Sequence, residues 1–242
     1  SITLWYANRM LKKAFERSSL RIFADELDSI PPRERSEASR MFEIVGPIVP
    51  RAPDERRDVL KEKIVADLWD HQFGIRKLIV VAIGGTSIGK YLIDFLYTNS
   101  KEITEKLDCL ILILLGPRVE RSAYAEDSLD FIRFVGFTPD TLGYFKAADC
   151  VVSQAGASTL NEVASVGTPC VAIPIENHFE QKANANGFSE KYRFVVLRYR
   201  QLNVKSFVGS VEAAMGKKYV PPDYSKAAEK VAGLILKSAK GA

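Results

Sequence analysis

Along the 242-residue chain, short apolar runs alternate with longer amphipathic stretches. The runs 78–83, 109–115, 131–135, 150–152 and 170–173 are strongly apolar, with Arg133 as the one charged exception, and show no regular polar face, as strands covered on both sides do. Between them the hydrophobic period lengthens to that of helices over 54–69 (with Asp54 as its cap), 87–106, 139–147 and 158–166. Gln181 and Asn184 open another helix, and two more close the chain over 204–215 and 224–237. This alternation predicts an α/β fold with a doubly wound, Rossmann-like parallel sheet.

The first fifth of the chain is patterned differently. Ile2, Tyr6, Met10 and Phe15 recur at roughly helical spacing within 1–19, with basic residues between them. Residues 21–24 read as a short strand, and the polar stretch 28–40, which holds Pro31 and Pro32, reads as a loop. Residues 42–50 are punctuated by Gly46, Pro47 and Pro50 and read as an extended linker. The boundary is placed there, with 1–45 as the tail of an N-terminal domain or an appendage and 46–242 as the main domain.

Composition narrows the partners more than the fold. Hydrophobic residues make up 47% and charged residues 26%, as in ordinary globular chains. A net charge of +4 suits an anionic small molecule or an anionic membrane surface and does not call for nucleic acid. Cys109, Cys150 and Cys170 lie in or beside apolar runs without metal-ligand spacing, so they read as buried, reduced thiols of a cytoplasmic protein. No stretch reads as a signal peptide, and the longest apolar run, 109–115, is strand-sized. His71 and His178 lack a second ligand at zinc spacing, and no Asp-x-Asp is present to hold a diphosphate through a cation. Neither a metal nor a cofactor is expected. The basic run Arg9, Lys12, Lys13, Arg17 and Arg21 reads first as a solvated surface, with peripheral contact at the inner face of a membrane as the alternative.

Candidate chemistry collects where strands give way to helices. Gly84-Gly85-Thr86-Ser87-Ile88-Gly89-Lys90 follows a strand and opens a helix, so its amides are able to cradle phosphate oxygens. The spacing nearly fits a P-loop, but Tyr91 stands where a Ser or Thr hydroxyl would hold magnesium. A tight glycine turn without a ligand competes with both readings. After the run 150–152, the small residues Ala155, Gly156 and Ala157 lead into a helix whose first amides and dipole suit a diphosphate. Glu162 lies one turn after Ser158, placed to hold both hydroxyls of a ribose. Gln181 and Asn184 share a helix face, and amides that donate and accept are natural partners for sugar hydroxyls. His178, four residues past Pro174, lies above a strand end as a further ligand contact.

Together these segments resemble the C-terminal, donor-binding half of a GT-B glycosyltransferase. The likeness is to the family of the peptidoglycan (lipid II) N-acetylglucosaminyltransferase and the wider UDP-glycosyltransferases, over about residues 42–240. Gly46-Pro47-Ile48 resembles the interdomain linker, and Gly84-Gly85-Thr86 the Gly-Gly-Ser/Thr turn. The segment Val135 to Pro139 is similar to the one whose backbone holds uracil, which implicates Phe137 and Thr138. The segment from Ser153 to Glu162 is similar to the phosphate-and-ribose segment, and the one from Glu180 to Asn184 to the motif that reads the donor sugar.

The resemblance implies an inverting, metal-independent transfer of a hexose, N-acetylglucosamine first, from a UDP-sugar substrate. In that reading Gly84, Gly85, Thr86 and Ser87 with Gly156, Ala157, Ser158 and Thr159 hold the diphosphate. Phe137, Thr138 and Glu162 hold uracil and ribose, and His178, Glu180, Gln181 and Asn184 hold the sugar. The acceptor and the catalytic base are expected outside this chain, on an acceptor-binding domain or a separate subunit. Two rivals share the resemblance: a UDP-N-acetylglucosamine 2-epimerase and a non-catalytic nucleotide-sugar-binding subunit.

Overall fold

The computed structural model describes residues 17–26, 29–30, 32–69, 76–83, 89–117 and 130–240. The chain forms two compact units, Ser1–Val49 with Asp223–Ala242, and Pro50–Pro222. The helix read over 1–19 lies almost wholly outside the described residues.

In the first unit, β1 (Ile22–Phe23) pairs in parallel with β2 (Glu43–Ile44). Between them, where the sequence predicts a loop, stands helix α1 (Arg35–Met41) behind a 3-10 turn at Pro32–Glu34. Proline is a breaker inside a helix but fits its entrance, where its N–H would have no acceptor in any case. Arg35 Nε donates to the Ile30 carbonyl at 2.8 Å and ties the turn down.

The second unit carries α2 (Arg57–Trp69), β3 (Lys77–Ala82), α3 (Lys90–Thr98), α4 (Ser100–Leu107) and β4 (Cys109–Leu114). It continues with β5 (Ile132–Val135), α5 (Thr141–Ala147), β6 (Cys150–Ser153), α6 (Ala157–Ser165) and β7 (Cys170–Ala172). After these come α7 (Phe179–Tyr192), the two-residue β8 (Val195–Val196) and α8 (Val204–Met215); α9 (Ala227–Lys240) belongs to the first unit. The six strands are all parallel, in the order β5-β4-β3-β6-β7-β8.

Successive side chains of a strand point to opposite faces, and both faces are covered here. Ile79, Val81 and Ile83 pack with Leu92, Ile93, Leu96, Ile103, Phe207 and Val211 of α3, α4 and α8. Leu78, Val80 and Ala82 pack with Val65, Trp69, Leu142, Phe145, Leu160 and Val163 of α2, α5 and α6. Full burial of such a side chain contributes about 1.5–3 kcal/mol, against a strand propensity range of about 1 kcal/mol. Burial on both faces therefore sets these strands, which is why their runs lack a polar alternation. Cys109, Cys150 and Cys170 are free and buried, and burial pushes the Cys109 thiol up to about 12.

Two helices and one strand differ from the sequence reading. The single helix read over 87–106 is broken at Asn99, whose side-chain Nδ2 donates back to the Phe95 carbonyl at 2.7 Å and competes with the continuing ladder. The helix read from Asp54 begins at Arg57; Asp54 pairs instead with Arg51 at the surface. The short strand β8 had no signal beyond its two valines. Among the described residues no helix is long and apolar enough to cross a membrane.

Candidate functional site

From β3 the chain winds outward through β4 and β5; from β6 it winds the other way through β7 and β8. The reversal falls between β3 and β6, where Ala82 is paired with Ser153. Ligands of open parallel sheets bind at the carboxyl ends of the strands at such a switch point, because loops diverge there and leave a crevice. The chain leaves β6 through Gln154, Ala155 and Gly156 and leaves β3 into residues 84–88. The candidates Gly84, Gly85, Thr86 and Ser87 lie outside the described residues, so the site is built here from the β6 side.

Ser153, Gln154 and Ala155 are all buried. Ala155 has φ of 64°, a left-handed conformation that costs a residue with a Cβ about 1–2 kcal/mol. A tertiary contact holds it: Asn184 Nδ2, from α7, donates to the Ala155 carbonyl at 3.2 Å. The structure thus joins the predicted sugar-reading helix to the predicted phosphate turn. Gly156 then caps α6 without a side-chain hydrogen bond. Leu160 N donates to the Gly156 carbonyl at 3.0 Å, and among the described residues the amides of Ala157, Ser158 and Thr159 have no acceptor. Three uncapped amides at the positive end of a helix are free to donate to an anion.

Glu162 sits one turn further along. Its Oε2 accepts from Thr141 Oγ1 at 3.0 Å, and Oε1 has no partner among the described residues. Burial pushes the Glu162 carboxyl above its ordinary value, and the Thr141 hydroxyl opposes that rise. Thr141 is the first residue of α5, whose cap Asp140 accepts from Gly143 N at 3.2 Å. Asp140 N in turn donates to Thr138 Oγ1 at 3.2 Å, so the segment proposed for uracil is fixed to the helix that holds Glu162. Phe137, just before it, is 71% exposed.

The residues proposed for the sugar divide. Gln181 Oε1 accepts from Ile175 N at 2.9 Å, which closes the turn after β7 and leaves its Nε2 to donate elsewhere. Asn184 likewise keeps Oδ1 as an acceptor beside the Ala155 turn. His178 caps α7, with Nδ1 accepting from Gln181 N at 3.4 Å, and Glu180 is exposed in the first turn.

Three residues near the site were missed in the sequence. Thr141 orients Glu162. Gln154 is buried and Tyr91 half-buried close to it, and neither Gln154 Nε2 nor Tyr91 Oη has a hydrogen-bond partner among the described residues. Burial raises the Tyr91 phenol pKa, and the Gln154 amide beside it works in the other direction. A Cβ at Gly89 would come 2.8 Å from Gln154 Oε1 and 2.9 Å from Ile83 Cβ, so only glycine lets α3 start so close to the β6 turn. The signal was the polar Gln154 directly after a buried strand. The pairing of that residue with Gly89 and Tyr91 needs the β3–β6 register.

Among the described residues no cluster of three or more His, Cys, Asp or Glu could hold a metal ion.

Known proteins share this architecture. The chain is 26% identical over 214 residues to an uncharacterized glycosyltransferase of Methanopyrus kandleri, covering 86% of this chain and 56% of that protein. It is also 26% identical over 147 residues to the UDP-N-acetylglucosamine–N-acetylmuramyl-(pentapeptide) pyrophosphoryl-undecaprenol N-acetylglucosamine transferase of Natranaerobius thermophilus. That match covers 60% of this chain and 37% of the relative. The chain therefore spans about half, or less, of these relatives. Among solved structures, MurG of Acinetobacter baumannii superposes with a TM-score of 0.53 at 19% identity, over 84% of this chain and 62% of MurG. The calicheamicin glycosyltransferase does so with 0.58 at 15%, over 91% of this chain and 49% of its own, and both likenesses concern the GT-B fold. The match of residues 79–238 to the glycosyltransferase family 28 C-terminal domain takes in the switch point, the α6 turn and α7, and the chain belongs to that family.

Proposed function

We propose that this chain is the donor-binding half of an inverting, metal-independent hexosyltransferase whose donor is a UDP-sugar, with N-acetylglucosamine as the sugar. The observation that carries the reading is at the start of α6. Three unaccepted amides (Ala157 to Thr159) and a carboxylate oxygen without a partner (Glu162 Oε1) lie one helical turn apart at the switch point of the sheet. An anion donor set followed by a diol acceptor matches the order diphosphate, then ribose. Family membership supports transferase chemistry, and the Natranaerobius relative carries UDP-N-acetylglucosamine in its name.

In this reading the amides of Ala157 to Thr159 hold the donor diphosphate and stabilise the charge that grows on UDP as it leaves. Being fixed in the backbone, they need no reorganisation at the moment of reaction. Glu162 holds the ribose, the backbone at Phe137 and Thr138 holds uracil, and Gln181 Nε2 with Asn184 Oδ1 reads the sugar hydroxyls. His178 and Glu180 border the sugar from the first turn of α7. Acceptor and base come from the remainder of the protein or from a second subunit.

Calorimetric titration with UDP tests this. Glu162→Ala removes one or two hydrogen bonds to a charged group, a loss of about 2–4 kcal/mol, or roughly 30- to 1000-fold in affinity. Absence of UDP binding, or equal affinity in the variant, would falsify the assignment.

A further inference from the structure

Beyond β7 and β8, on the same edge of the sheet, lies a cavity of about 360 Å3 that shares His178 with the donor reading but whose other lining residues that reading leaves unassigned. Its walls include Phe179, Lys182 and Asn186 of α7 and Arg198, Tyr199 and Arg200 after β8. Positions 179, 182 and 186 follow helical spacing and share one face of α7, turned away from that of Gln181 and Asn184. The volume falls within the range of small-molecule sites.

Its charge is unbalanced. Glu176 pairs with Arg200 through a close Nε–Oε1 contact, which neutralises that arginine. Lys182 and Arg198 also line the cavity, and among the described residues neither side chain has a hydrogen-bond or ion-pair partner. By contrast, in the charged cleft at the opposite end of the sheet Lys61 pairs with Asp149 at 2.6 Å and Arg57 donates to the Lys146 carbonyl and Thr168 Oγ1. Among the described residues, the first cavity differs from this cleft in keeping two positive side chains without a partner beside open volume. Its mouth also carries an aromatic ring, Phe179, that is 89% exposed. Leaving a Phe in water forfeits about 1.5–3 kcal/mol of burial, and a flat apolar ring beside cations suits a ligand with a ring face and an anionic group.

We infer that this cavity is a phosphoanion site, adjoining the donor sugar position at His178, for a second ligand that carries a phosphoryl group next to a ring. Lys182 and Arg198 take the phosphoryl oxygens, the Asn186 amide and the Tyr199 hydroxyl supply further hydrogen bonds, and the ring lies on Phe179. Arg198 presents a fork to two oxygens at once, whereas Lys182 acts as a point charge. The inference rests on the donor-binding proposal and extends it: a phosphoanion held beside the sugar position is a group that an acceptor, bound mainly by the remainder of the protein or by a second subunit, would bring.

The test is titration of inorganic pyrophosphate into the chain, alone and with UDP at saturation. The wild type should bind one pyrophosphate in the presence of UDP, and the double variant Lys182→Ala/Arg198→Ala should bind it at least ~10-fold more weakly. Both side chains are exposed and unpaired, so the variant should keep its melting temperature and its affinity for UDP. Equal pyrophosphate affinity in wild type and variant overturns the site, as does complete displacement of pyrophosphate by UDP, which would make it part of the donor cleft. A chain that ignores UDP yet loses pyrophosphate binding in the double variant refutes the donor reading and keeps this one.

Discussion

Gly156→Ala separates a glycine kept for the chain from a glycine kept for a ligand. Gly156 has φ of −65° and ψ of 133°, a conformation open to any residue, and a Cβ built there meets no heavy atom within 4 Å. Neither backbone strain nor internal packing explains the missing side chain. Alanine should therefore leave the fold intact and stabilise it by about 0.4–1 kcal/mol, because the unfolded chain has less freedom to lose. The same methyl projects beside the uncapped amides of Ala157 to Thr159, where the proposed diphosphate makes its closest approach. Forcing a methyl into a fitted contact costs about 1–3 kcal/mol, so UDP affinity should fall roughly 5- to 150-fold. Thermal unfolding and calorimetric titration of one variant thus move in opposite directions. Unchanged UDP affinity with unchanged stability would refute the reasoning, since the open space beside Gly156 would then belong to no ligand.

Two other substitutions test the surrounding architecture. Burial raises the Glu162 pKa in the folded chain, so its contribution to stability is complete below the ordinary glutamate value of 4.5 and is lost as pH rises through the folded value. Glu162→Gln removes that dependence while keeping an acceptor for Thr141. Melting temperatures measured from pH 4 to 7 should favour the variant increasingly as pH rises, and a constant difference would refute the burial argument. Gly167, at φ +70°, leaves 2.8 Å between a built Cβ and Pro221 Cγ. Gly167→Ala combines an unfavourable conformation with a clash and should destabilise by about 2–4 kcal/mol in denaturant unfolding; a loss below about 1 kcal/mol would show that Pro221 yields easily.

The sheet was legible in the sequence because strands buried on both faces must be apolar at nearly every position. Val80 and Val81 point to opposite helical layers, and neither face tolerates a polar residue. The helix after Pro32 was not legible: proline at a helix entrance and proline in a loop leave the same trace. The break at Asn99 was hidden for a related reason, since one side-chain hydrogen bond to the Phe95 carbonyl decides it while the apolar period runs on.

By itself the sequence determined the strand–helix alternation, the small-residue turn at 155–157 and the spacing that puts Glu162 one turn after Ser158. All of these are local, set by periodicity and by residues whose effect extends over a turn or two. Tertiary structure decided which turns share a crevice. The β3–β6 register brings Gly89 against Gln154, α5 supplies Thr141 to Glu162, and α7 reaches back so that Asn184 holds the Ala155 carbonyl. It also decided that Lys182 and Arg198, 16 positions apart, line one cavity whose carboxylate, Glu176, is paired with Arg200 instead. Such contacts join residues far apart in the chain, and only the packing of helices on the sheet determines which of them meet.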